Sequence, residues 1–242
     1  MRALRSQIRA EITMTLRRGE SVLVTIGIPV MLLLFFGTVH VLPTGAGRPI
    51  DFLAPGVLAL AVMSTSMVSL GIATGFERSY GVLKRLGSTP LGRSRLLAAK
   101  TVAILSVEVV QVLVIAPVAI GLGWRPHGDA AVGVLAVLLA TAGFAGIGLA
   151  FAGSMRAELT LAAVNGLYLV FLLLGGMVLT LSKLPHLLDG IARLLPAAAL
   201  SSVLRHSLGV SQGSSLHAWL VLAAWGVLAP VVATLTFHWQ PS

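Results

Sequence analysis

The chain contains no cysteine and only eight acidic residues, and neither the GxxxxGK[ST] phosphate loop nor the HExxH metal spacing occurs in its 242 residues. Each absence closes off a function. Without cysteine there is no disulfide framework and no thiolate metal site. Without the phosphate loop the chain is not expected to hydrolyse ATP by itself. Its histidines (His40, His127, His186, His206, His217, His238) are scattered, so no metal is assigned. Charge is scarce as well: 10% of residues are charged and 57% are hydrophobic, far from the roughly 25% charge of a soluble domain.

Hydrophobic runs fill most of the sequence. Uncharged or nearly uncharged stretches at residues 22–42, 52–76, 96–122, 130–153, 159–181 and 216–237 are each long enough to cross about 30 Å of hydrocarbon. The first exceeds the core of a signal peptide and lacks a small-residue cleavage site, so it is read as a retained span. The expectation is a single all-α integral membrane domain, residues 1–242, with six transmembrane helices.

The net charge of +9 would suggest nucleic acid in a soluble protein, but here the position of the cations matters more than their number. Arg2, Arg5, Arg9, Arg17 and Arg18 precede span one, Arg78, Lys84, Arg85, Arg93, Arg95 and Lys100 follow span two, and Arg156 follows span four. The opposite side holds Arg48, Arg125, Lys183, Arg193 and Arg205. This bias places both termini in the cytoplasm of a multi-pass cell-membrane protein, with the bilayer and not nucleic acid as its surroundings.

Three connecting segments are more than turns. Residues 1–20 place Leu4, Ile8, Ile12 and Leu16 at i, i+4 spacing among arginines, the pattern of an amphipathic helix lying at the inner headgroup surface. Residues 182–215 are apolar but broken by Pro185, Gly190, Pro196 and Gly209, which suggests short re-entrant or interfacial helices between spans five and six. A seventh span there is the competing reading, and it would put the C-terminus outside. The loop 77–95 is the most charged segment. In it Tyr80, Val82, Leu83 and Leu86 can line one face of a short helix, and Pro90 biases Thr89 out of the helical region and ends it.

That loop resembles the signature of ABC-2-type transporter permeases, through Glu77, Gly81, Leu83, Leu86, Thr89-Pro90-Leu91 and Lys100. The outer segment is similar to the family's paired short helices, through Leu184-Pro185, Ile191, Leu195-Pro196 and Leu204-Arg205, although Leu195 stands where the family usually has Asn. The resemblance implies a cytoplasmic coupling helix between spans two and three, with Glu77, Tyr80, Gly81, Leu83, Leu86, Thr89, Pro90 and Leu91 coupling to a separate ABC ATPase subunit that holds the ATP and magnesium. It also implies a second permease subunit, identical or not. Within the family the chain looks most like daunorubicin-type multidrug exporter permeases, which implies an apolar or amphipathic substrate, drug or lipid-like.

The spans also carry polar residues. Glu108 and Gln111 lie one turn apart in span three, where an acid at mid-membrane costs about 2.5–3.5 kcal/mol and must face protein or water. They are candidates for the substrate path, with a hydrogen bond to a neighbouring span as the alternative. Gly71 and Gly75, with Gly143, Gly146 and Gly148, invite close helix packing, inside one subunit or between two. Asn165 is expected to make an interhelical hydrogen bond. The rival functions are a secondary carrier, for which no internal repeat is evident, and an intramembrane enzyme.

Overall fold

A chain in hydrocarbon must satisfy its backbone N–H and C=O groups within each segment, so long apolar runs become helices. The computed structural model describes residues 2–17, 19–39, 48–87, 92–177, 185–209 and 216–238. Among these, the ordered elements are helical. The amphipathic α1 (Arg2–Arg17) leads into α2 (Gly19–Thr38). The next span is built from α3 (Pro49–Met63), a π-helical segment (Ser64–Ser69) and α4 (Leu70–Ser79), which run on as one rod. The short α5 (Val82–Gly87) then precedes α6 (Arg93–Gly121), α7 (Ala130–Ser154) and α8 (Ala157–Leu174). Two short helices, α9 (His186–Ala192) and α10 (Pro196–Ser207), come before α11 (Leu216–Thr236).

Five of these are long and apolar enough to cross a membrane: the rod Pro49–Ser79, α6, α7, α8 and α11. The apolar part of α2, Leu23–Thr38, is shorter, and residues 40–42 of the expected first span lie outside the described residues. The fifth expected span ends earlier than its hydropathy suggested, because α8 stops at Leu174 and the chain bends at residues 175–177. Of the outer segment, residues 182–184 and 210–215 lie outside the description. The 31-residue rod is about 46 Å long, more than the roughly 30 Å of a hydrocarbon core, and α5 follows at its end.

The centre of the bundle is α7, and its glycines explain why. A Cβ at Gly146 would collide with the backbone of Ala229 and Pro230 in α11, and one at Gly148 with Met67 of the π segment. A Cβ at Gly71 would lie 3.1 Å from Gly148 O. These small residues let backbones touch within one subunit, as in small-residue membrane interfaces generally. A larger core gathers Leu53, Met63, Phe144 and Leu200. A smaller one, at the α5 end, gathers Leu70, Leu83, Leu96, Ile104 and Phe237.

Candidate functional site at the α5 end of the bundle

The turn between α4 and α5 requires glycine: Gly81 sits at φ +73°, a left-handed conformation that side chains disfavour, and Arg85 N–H donates to Gly81 O. The turn sets the direction of α5. Leu83 is fully buried in the smaller core, and Leu86 packs partly against it. Tyr80, at 76% exposure, and Val82, at 43%, point outward, together with the exposed Lys84 and Arg85. The four apolar residues expected on one face of α5 are therefore divided between two. A six-residue helix has two faces, and the bundle's own core claims the one bearing Leu83 and Leu86. Tyr80 belongs to the turn, and Thr89, Pro90 and Leu91 lie outside the described residues.

Two arms fix this helix to the bundle. At the end of α4, the Arg78 guanidinium donates from Nη1 to Met155 O at 2.9 Å and Ala152 O at 3.3 Å, so a buried cation caps the C-terminus of α7. Beside it, the Lys100 ammonium donates to Glu77 Oε2 at 2.6 Å and to Glu11 Oε2 at 3.1 Å. Lys100 is 2% exposed, and Glu11 in turn accepts from Gln7 Nε2 at 2.9 Å. Three helices, α1, α4 and α6, are thereby joined through one lysine. Sequence reading placed Lys100 among the topology cations and at the end of the ABC-2-like signature, and gave Glu11 no role. The available signal was an acid within the amphipathic stretch and a lysine at the entrance to a span.

The other polar candidates lie deeper. Gln111 Nε2 donates to Thr65 Oγ1 at 2.8 Å and to Thr25 O at 2.9 Å, which ties α6 to the π segment and α2. Glu108 Oε2 accepts from Thr141 Oγ1 at 2.6 Å, which ties α6 to α7. Both residues are buried, and the geometry is that of interhelical bonds. Asn165 departs from expectation: its Nδ2 donates to Leu161 O within α8, and the residue is exposed. Asn165 and Tyr168 instead border a cavity of about 250 Å³ between α2, the π segment and α8, together with Ser64, Ser69 and Thr25.

The opposite end of the bundle has its own fastening. Arg205 of α10 donates to Gly176 O and Met177 O and lies 3.9 Å over the Phe52 ring. Burial lowers its pKa to about 10, which leaves it charged at neutral pH. A GxSxG spacing occurs at residues 209–213, of which 210–213 lie outside the described residues.

With the geometry in place, the comparison with protein families decides the class. The model of the ABC-2 type transporter matches residues 2–208. The chain belongs to that family. No curated protein compared with it gives a match. The ABC-2 match covers α1 through α10, so the lysine bridge, α5 and the Arg205 fastening all fall inside the family domain. It makes the chain a multi-pass membrane protein of a transporter class whose members generally work with an ABC ATPase.

Proposed function

We propose that this chain is the transmembrane permease subunit of an ATP-driven exporter, with six spans, both termini in the cytoplasm and an ATPase subunit seated on α5. The supporting observation is the geometry of α5. It hangs from a rod longer than the bilayer is thick, is anchored inward by Leu83, and turns Tyr80, Val82, Lys84 and Arg85 outward. Its anchor is shared with Ala233 of the last helix and with Phe237 just past it, and its root is tied through Glu77, Lys100 and Glu11 to α1. A push on α5 is thereby delivered to three helices at once.

The chain performs no hydrolysis in this reading, and ATP and magnesium reside in the partner. Two permease subunits, alike or not, face each other across α2 and α8, whose apolar side chains Leu23, Met31, Leu169 and Leu173 are exposed. The cavity bordered by Ser64, Ser69, Asn165 and Tyr168 lies on that side and forms part of the substrate path. Gln111 acts one layer behind, through Thr65. Scattered hydroxyls and an amide among apolar walls suit an amphipathic molecule, drug or lipid-like, as in daunorubicin-type exporters.

The test is retention of the ATPase by membrane-inserted variants. A charge placed on a buried apolar contact costs a few kcal/mol. Tyr80→Asp and Val82→Asp are expected to insert normally, to lose the ATPase on purification and to lose substrate-stimulated ATP hydrolysis. Leu83→Asp is expected to destabilise the permease itself. Full ATPase retention and transport in both Tyr80→Asp and Val82→Asp would refute the proposal.

A further inference from the structure

We infer that the groove between α7, α8 and α11 is a phospholipid site. It would hold one acyl chain from the leaflet on the α5 side, with an anionic headgroup in the basic pocket at its end. Both α8 and α11 pack on α7 and leave between them a groove of about 540 Å³, walled by Ile147, Phe151, Phe171, Trp225, Leu228 and Val232. Its polar side chains are already satisfied. Ser154 Oγ donates to Ala150 O, Thr236 Oγ1 to Val232 O and Trp225 Nε1 to Leu194 O. The groove therefore offers a guest only apolar contact, which suits hydrocarbon and nothing that needs hydrogen bonds.

Its length fits one leaflet. From Trp225 to Thr236 the α11 wall rises about 16 Å, against about 15 Å for half of a 30 Å hydrocarbon core. At its α5 end the groove reaches Met155, and the same Met155 walls a second cavity of about 210 Å³. That cavity is bordered by Gly75, Arg78, Ser79, Arg156, Ala157 and Glu158. The exposed Arg156 faces the one acid there, and the buried Arg78, which caps α7 through Met155 O and Ala152 O, adds a second positive charge behind it. The first turn of α8 opens into the same cavity without a side-chain cap, so its N–H groups add to the preference for an anion. An apolar channel one leaflet long, ending in cations at headgroup depth, has the shape and charge of an anionic phospholipid. A second protein copy seated there would instead have to bury Arg156.

With the α5 end cytoplasmic, as proposed above, this is an inner-leaflet lipid whose headgroup sits against Arg156 and Ser79, the latter at the root of α5. The leaflet assignment rests on that reading, but the site itself does not.

The full chain in bilayer discs of equal phosphatidylcholine and phosphatidylglycerol, released into the gas phase for native mass spectrometry, tests the site. Wild type should retain phosphatidylglycerol in excess of its bulk share. Arg156→Ala should reduce that excess about fivefold, the effect of one cation near a headgroup. Val232→Trp, which fills the groove from an exposed position, should release the lipid of either headgroup. A second measurement needs no groove variant. Brominated phosphatidylglycerol should quench the fluorescence difference between wild type and Trp225→Phe more strongly than brominated phosphatidylcholine does. Retained lipid that mirrors the bulk mixture, with equal quenching by both lipids, would overturn the inference. So would a Val232→Trp chain that loses an oligomeric partner and no lipid, since the groove would then belong to a second copy.

Discussion

Lys100→Met removes the cation that lies between two carboxylates, with all three side chains largely buried. The ammonium lies 3.1 Å from Glu11 and 2.6 Å from Glu77, and the side chains of Lys100, Glu11 and Glu77 are 2%, 6% and 17% exposed. Methionine fills much of the lysine's volume, so the loss is chiefly electrostatic. Breaking a buried pair by removing one partner costs about 3–5 kcal/mol, because the remaining charge, here that of Glu11, is stranded. Glu77 can turn partly to water, so the lower end applies, about 3 kcal/mol. For a chain of this size that corresponds to a fall in Tm of about 6–12 °C. The assay is thermal unfolding of the purified permease, followed by tryptophan fluorescence. The triple variant Glu11→Gln, Glu77→Gln, Lys100→Met leaves no stranded charge and should recover to within about 1 kcal/mol of wild type. Both variants should lose substrate-stimulated ATP hydrolysis, because α1 is no longer held to α4. A single variant within 2 °C (about 1 kcal/mol) of wild type, or a triple variant no better than the single, would refute the bridge as a structural joint.

Two further substitutions probe the bundle. Gly146→Val should destabilise by about 3 kcal/mol in thermal unfolding, since its Cβ meets the backbone of Ala229 and Pro230, while Gly166→Ala, with nothing within 4 Å, should not. Glu108→Gln keeps a hydrogen-bonding partner for Thr141 and should leave the ratio of cationic to neutral substrate transport unchanged, whereas Glu108→Leu orphans that hydroxyl and should cost about 1–3 kcal/mol.

Hydropathy alone located most of the long helices, because an uninterrupted apolar run in a chain with so few charges has few alternatives to crossing the bilayer. It also located α5, since Gly81 and the charged loop interrupt the runs on either side. The direction in which α5 turns was not legible. Tyr80, Val82, Leu83 and Leu86 are all apolar enough for a buried face, and only the packing of Leu70, Leu96 and Phe237 selects Leu83. The lysine bridge was hidden for a different reason: Glu11 and Lys100 are 89 residues apart, and nothing in either neighbourhood encodes the other. Glu108 and Gln111 stood out as polar residues in a span. Their partners Thr141, Thr65 and Thr25 come from other helices, so these interhelical bonds became visible only with the fold. The small residues of α7 suggested close approach, and the choice of α11 and the π segment as neighbours came from topology.

The central claim is that α5 meets an ATPase through Tyr80 and Val82 and faces inward through Leu83. Because the chain has no native cysteine, a single cysteine can be placed at either position without background. The most direct measurement is crosslinking of Val82→Cys and Leu83→Cys to the ATPase in native membranes, with a short thiol-to-amine reagent. The account predicts an efficient adduct from position 82 and none from position 83. An adduct of equal or greater yield from position 83, or none from position 82 in membranes where ATP-driven transport proceeds, would contradict it.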